Sequence, residues 1–389
     1  MKISLIIPSF YPAVIYGGPI FSTLHTCQEL AKLEDVEVYV STTNANITTR
    51  LDVQTNKWTK FEENFFVKYY DETKVNKFSW QLFCNIWKDI KQAEIISIQT
   101  VFDTPAPISL LYAKCFRKPI VLSPRGALCH WCVNQGSRFK QFWLKYLIKP
   151  FVKNIYFHAT CEAEKQDILT IFPDAKIVII PNGVDVDSYH KNNILNKQEY
   201  IKKYVKADIE SNNIIVSMSR LHAKKGFDIL IQAFAEVLQT YPESILLIAG
   251  PDEGEKQNLE NLINALELNN RIYLIGPMNG QDKVDFLANA DLFVLPSHNE
   301  NFGNVYIESL AAGTPIVAST GTPWQEVESA DCGKWVDNTI EDTASAMLEM
   351  LEKDREQMRL NARILAQKYD WKNIALQFKD VFEKIVETK

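Results

Sequence analysis

Residues 214–239 read IIVSMSRLHAKKGFDILIQAFAEVLQ. The first five are apolar save for one serine, a short run suited to a strand covered on both faces. From residue 227 onward the apolar side chains Phe227, Leu230, Ile231, Phe234, Val237 and Leu238 recur at helical spacing. Between strand and helix lies a loop carrying Arg220, Lys225 and Gly226. Amides at a helix start carry partial positive charge, so this loop sets two cations beside them, a ready site for a diphosphate. A solvated basic loop has the same composition, and this stretch alone does not separate the two readings.

The same grammar recurs on either side. Downstream, strands are predicted at 245–249, 272–275, 292–295 and 316–318, with helices at 255–268, 281–289 and 304–312. Upstream, strands are predicted at 3–8, 36–41, 65–70, 95–99, 119–123, 156–160 and 176–180, with helices at 20–33 and 106–115. Near-continuous Val/Ile/Leu strands alternating with helices imply parallel sheets. The expected fold class is therefore α/β, with two doubly wound Rossmann-like domains. The break falls after Ile180, where Pro181-Asn-Gly-Val-Asp185 is a turn signal followed by a polar segment to about residue 212. Domains are predicted at 1–182 and 183–368, with a helical tail over 369–389. Two open sheets facing each other would leave a cleft at the carboxyl ends of their strands, the ligand site of this architecture.

Composition narrows the class. Fourteen glycines in 389 residues is about half the usual ~7%, which excludes collagenous and linker-like chains. A net charge of −6 argues against nucleic acid as a bulk partner. The seven cysteines are scattered and no run of 18 apolar residues exists, so a cytoplasmic chain with reduced thiols is expected.

A second block runs from Leu295 to Val317 and carries Glu300, Gly303 and Glu308. Free amides around Phe302–Asn304 can meet an anion, and a carboxylate in the helix can accept two hydrogen bonds from a diol. The plainer reading has Glu300 capping the helix and Glu308 exposed. Asp185-Val-Asp187 has the look of a metal-binding pair, yet Asp after Asn-Gly is ordinary turn chemistry, so no metal site is expected. Cys129-His-Trp-Cys132 has redox spacing without a second ligand pair, and no chemistry is assigned to it. Residues 126–161 contain no Asp or Glu but hold five cations among Trp131, Phe139, Phe142, Trp143, Tyr146 and Phe151. That span reads either as a core helix with lysines reaching outward or as a surface for an anionic bilayer.

Taken together, the Arg220-x4-Lys225-Gly and Glu300-x7-Glu308 patterns resemble the nucleotide-sugar site of glycosyltransferase family 4, retaining enzymes of GT-B fold. Gly17-Gly18, Ser123-Pro-Arg-Gly126, Ile248-Ala-Gly250, Gly276-Pro277, Ala290–Ser297 and Ala312–Val317 extend the resemblance over most of the chain. It implies that Arg220, Lys225 and Glu300 are the catalytic set, with the two cations holding the donor diphosphate. It assigns donor binding to Gly17, Gly18, Gly276, Met278, Phe302, Gly303, Asn304 and Glu308, the last on the donor ribose. The first domain would bind acceptor and the second a nucleoside-diphosphate sugar, with no metal or other cofactor. The last helix, from Trp371, would cross back onto the first domain.

One departure stands out. Many members place a histidine where this chain has Arg125, which cannot serve as a base at neutral pH. Arg125 would bind phosphate or an acidic acceptor, or else pair with a carboxylate; His130 is the other candidate. The resemblance extends to bacterial surface-polysaccharide enzymes and implies a glycan or lipid-linked saccharide acceptor, with peripheral contact at the inner face of the membrane. The rival readings are a nucleotide-sugar epimerase or hydrolase on the same fold, and an inactive nucleotide-sugar-binding protein.

Overall fold

Runs of Ile, Val and Leu become buried strands in the computed structural model, which describes residues 1–73, 77–129, 138–190, 193–205 and 211–388. In chain order the strands are β1 (Lys2–Ser9), β2 (Glu37–Thr43), β3 (Ala45–Asn46), β4 (Thr49–Arg50), β5 (Trp58–Glu62), β6 (Phe65–Tyr70), β7 (Ile95–Gln99), β8 (Ile120–Ser123), β9 (Tyr156–Ala159) and β10 (Lys176–Ile179). They continue as β11 (Ile214–Met218), β12 (Ile245–Ala249), β13 (Ile272–Gly276), β14 (Leu292–Leu295), β15 (Ile316–Ser319) and β16 (Gly333–Val336). The chain divides into two compact units, Met1–Gly183 with Trp371–Lys389, and Val184–Asp370.

In the first unit the sheet order is β10-β9-β8-β7-β1-β2-β6-β5. All neighbours are parallel except β5, which pairs antiparallel with β6. The all-parallel expectation fails at that edge for a local reason. Glu62 pairs with Phe65, leaving a two-residue turn whose Asn64 is left-handed (φ 57°), a state Asn tolerates better than most residues. The helix Trp371–Glu387 packs into this unit's core through Trp371, Ile374, Phe378, Phe382 and Ile385. Each buried side chain of this size contributes about 1.5–3 kcal/mol. Trp371 also stacks on His25 at 5.8 Å.

The second unit has an all-parallel sheet in the order β13-β12-β11-β14-β15-β16. Its buried strands are covered by helices that include Phe227–Thr240 and Ile340–Glu352. The polar segment that follows the turn, to about residue 212, contains the helices Val186–His190 and Lys197–Val205. Tyr200 is buried there and its hydroxyl donates to the Phe286 carbonyl at 2.8 Å, which fastens the second helix to the core. No helix among the described residues is long and apolar enough to cross a membrane.

Both sheets reverse their winding direction once. In the first unit the reversal lies between β1 and β7, in the second between β11 and β14. At such points the loops leaving the carboxyl ends diverge and open a crevice for ligand.

Candidate active site

The loops after β11 and β14, on either side of the second reversal, are joined by backbone, His298 N–H donating to the Lys224 carbonyl at 2.9 Å. The β14 loop is tied on its other side to the loop after β15, where Glu300 N–H donates to the Gly321 carbonyl at 2.9 Å. Gly226 makes the close approach possible. Its φ is +67°, and a Cβ there would lie 2.2 Å from the Pro296 carbonyl oxygen. On the other side of β11, Ser219 N–H donates to the Ala249 carbonyl of β12, and Gly250 N–H just after β12 donates to the Gly276 carbonyl of β13.

Lys225 and Glu300 meet across this joint as an ion pair whose side chains are 11% and 15% exposed. The Ser297 hydroxyl also donates to Glu300, at 3.0 Å, and fixes the carboxylate from a second side. A cation half withdrawn from water and aimed by a neighbouring carboxylate is suited to charge that develops on a leaving group. The plainer reading of Glu300 as a helix cap is thus set aside. The helix Asn304–Ala312 starts from the left-handed Gly303, with no side-chain cap. Phe302 is buried against Trp324, and its carbonyl accepts from the Trp324 indole at 2.7 Å. Burial first, then the Glu300 charge, holds the Tyr306 hydroxyl protonated well above its usual range.

Arg220 and Glu308 lie on other contacts. Arg220 Nη1 makes two bonds to exposed Glu253, at 2.7 and 2.8 Å. Glu308 pairs with Lys283 at 2.7 Å and is partly buried, so it is not the freely exposed acid of the plainer reading. Sequence alone does not single out Lys283, Glu253 or Ser297. Only Ser297 carries a signal, its place three residues before Glu300; the others meet their partners through packing. Gly276 ends β13, and Met278 packs partly buried against the core. His222 Nδ1 accepts from Lys224 N–H at 3.0 Å and His298 Nδ1 contacts the Asn338 amide at 2.7 Å.

In the first unit, Gly17 is left-handed (φ 72°) and starts the helix Gly18–Ala31 after β1. Arg125 follows β8 and bonds to Gln99 and Asn182, and among the described residues it forms no ion pair. The nearest acid by charge is Glu164, which raises the Arg125 pKa against burial while its oxygens accept from the Gly126 and Thr160 backbone amides. His130 and Cys132 lie outside the described residues. Asp185 caps a helix, accepting from Ser188 N–H at 3.1 Å, as turn chemistry predicts.

The basic aromatic span divides between the two readings offered for it. Trp143, Leu144 and Ile148 are buried, and the Trp143 indole donates to the Val101 carbonyl at 2.7 Å. Phe139, Phe142 and Tyr146 remain 57%, 53% and 53% exposed.

Two family descriptions match the chain: "Glycosyltransferase Family 4" over residues 16–188 and "Glycosyl transferases group 1" over residues 197–366. An uncharacterized glycosyltransferase of Methanocaldococcus jannaschii is 29% identical over 57% of this chain and 58% of its own length. For the first of these relatives the chain thus spans little more than half their length. The GDP-mannose-dependent monoacylated alpha-(1-6)-phosphatidylinositol monomannoside mannosyltransferase of Corynebacterium glutamicum is 31% identical over 68% of this chain and 69% of its own length. Among solved structures, Anabaena HepE in complex with UDP superposes with a TM-score of 0.74 at 20% identity, covering 99% of this chain and 100% of that one. Paired reversal-point loops in an α/β sheet, a 31% identical relative matched over two thirds of its length and this superposition together show that the chain belongs to glycosyltransferase family 4 and has the GT-B fold.

Proposed function

We propose that the chain is a retaining glycosyltransferase that uses a nucleoside-diphosphate sugar and needs no metal. The observation that carries this reading is the Lys225–Glu300 pair at the β11/β14 reversal, beside the uncapped start of the helix at Gly303. The unit Val184–Asp370 binds the donor; Arg220 and Lys225 hold its diphosphate, Glu308 its ribose, and the 302–304 backbone and Glu300 its sugar. Gly276 and Met278 border the base. Gly17 and Gly18 let the first loop of the other unit, which binds acceptor, come close to ligand. In transfer, the bond from the anomeric carbon to the phosphate oxygen breaks and its electron pair leaves on the diphosphate. The acceptor hydroxyl attacks the same face, and its proton passes to a leaving-phosphate oxygen. Lys225 and the helix amides stabilise the charge that develops. The UDP complex of the structural neighbour and the GDP-mannose named for the corynebacterial relative support a nucleotide sugar, with base and sugar left to a screen.

The screen is thermal: the true donor raises the unfolding temperature by mass action. With that donor, proton NMR should find the anomeric configuration retained in the product, at a rate unchanged by EDTA. An inverted product, or activity that follows added divalent metal, would refute the mechanism.

The acceptor we propose is a glycan or a lipid-linked saccharide, reached at an anionic membrane surface. Phe139, Phe142 and Tyr146 stand exposed on one face, with Lys145 over the Tyr146 ring at 5.1 Å. Aromatic rings beside lysines match an anionic headgroup layer. The protein should float with phosphatidylglycerol vesicles, and Phe139→Ser with Phe142→Ser should release it while donor binding persists. Flotation unaffected by the double substitution would overturn the assignment.

A further inference from the structure

Among the described residues, Arg125 is the charged candidate site residue of the first unit, and neutral side chains orient it. It follows β8 at the carboxyl edge of the sheet, with a left-handed backbone (φ 57°). For a residue with a Cβ that state costs roughly 1–2 kcal/mol, so the surrounding contacts must hold it there. Two of them are side-chain bonds to residues at the ends of other strands. Nε donates to Gln99 Oε1 at 2.8 Å and Nη1 to Asn182 Oδ1 at 3.0 Å. Gln99 ends β7, and Asn182 follows β10.

Both acceptors are neutral. The acid whose charge reaches Arg125 is Glu164, and its oxygens accept from Gly126 N–H at 2.6 Å, Thr160 N–H at 2.7 Å and the Thr160 hydroxyl at 2.9 Å. His158 offers no anion either: it is buried between the Ser123 hydroxyl and the Ile180 carbonyl, and burial, then the Arg125 charge, lowers its pKa to about 4. Cys27, also near Arg125, stays a thiol because burial pushes its ionisation up. Nη2 makes no hydrogen bond among the described residues, and the side chain is part-buried. With Nε and Nη1 held by neutral amide oxygens, the guanidinium keeps its charge and its Nη2 donors for the oxygens of an incoming anion.

We propose that Arg125, positioned by Gln99 and Asn182, forms an oxyanion subsite for a carboxylate or phosphate carried by the acceptor. This rests on the reading that the first unit binds acceptor. The diphosphate of the donor is the other source of such an anion. In the donor-binding unit, however, Arg220 and Lys225 already supply two cations for it.

The test compares three variants of the full chain by ligand-observed NMR. The probes are methyl α-glucuronide, glucose 1-phosphate, neutral methyl α-glucoside, and UDP. Arg125→Asn is the main variant, because Asn accepts left-handed backbone and the turn should survive. Arg125→Lys retains the cation and removes the fork; Lys225→Ala serves for the donor. The native chain should bind the two acidic probes about 10-fold or more tighter than the glucoside, the worth of a hydrogen-bonded charge. Arg125→Asn should erase that preference, Arg125→Lys keep part of it, and Lys225→Ala leave it whole. UDP should weaken with Lys225→Ala and not with Arg125→Asn. No preference in the native chain, or a preference that survives Arg125→Asn, would overturn the subsite. Equal loss of UDP and acidic probes on Arg125→Asn would overturn it too, by showing that the anion belongs to the donor. The donor reading is judged separately, on UDP binding by Lys225→Ala.

Discussion

Lys225→Ala should lower sugar transfer by about 10²–10³-fold, the usual cost of removing one fixed group that stabilises developing charge. The reason lies in its placement. Lys225 is 11% exposed, so its field on a leaving phosphate is weakly screened, and among the described residues no other cation is joined to Glu300. Among the described residues, the same substitution leaves the Glu300 carboxylate with the Ser297 hydroxyl, at 3.0 Å. A carboxylate stripped of its partner in a half-closed site costs about 1–3 kcal/mol of stability. The two effects can be separated. Lys225→Ala combined with Glu300→Gln removes the orphaned charge, so urea unfolding should return towards that of the native chain while turnover stays low. Recovery of activity along with stability would mean that Lys225 only supports the loop. Full activity in Lys225→Ala alone would remove it from the site.

The sequence made this pair guessable and left its geometry hidden. Strand–basic loop–helix at 214–239 and the acidic loop before 304 could be read because burial periodicity and loop chemistry are local properties. Where partners come from distant parts of the chain, sequence was silent. Glu253 faces Arg220, Lys283 faces Glu308, and Gln99 with Asn182 holds Arg125. None of those contacts leaves a periodic trace, since each depends on how neighbouring loops or helices pack. The strand β5 escaped for a different reason: WTKFE sets the polar Thr59 and Lys60 side by side, so it lacks strand alternation, and β6 supplies its pairing partners. The strand β16 is half covered and likewise weakly patterned. Arg125 shows the same limit from the functional side. Its residue type departed visibly from the family pattern, but only the structure shows that Gln99 and Asn182 hold its guanidinium.

Gly226→Ala should be the most damaging single methyl group in the second unit's loop pair, lowering stability by about 3 kcal/mol or more and abolishing transfer. Two costs add. The backbone sits at φ +67°, where alanine loses roughly 1–2 kcal/mol relative to glycine. The new Cβ would also stand 2.2 Å from the Pro296 carbonyl oxygen, a backbone atom that no rotamer change can move. Relief requires the loop after β11 to part from the loop after β14. That movement would break the His298-to-Lys224 hydrogen bond and draw Lys225 from Glu300. Gly280→Ala is the matched control. Its φ is +56° and no atom lies within 4 Å of where the new Cβ would stand, so it carries the conformational cost without the collision. Thermal unfolding of both variants, with and without donor, isolates the contact. If Gly226→Ala loses no more stability than Gly280→Ala and still turns over donor, the close approach at Pro296 does not hold the two loops together. A larger loss at Gly226, accompanied by lost donor protection, would show that the glycine joins the cation-bearing loop to the acidic loop and so assembles the catalytic pair.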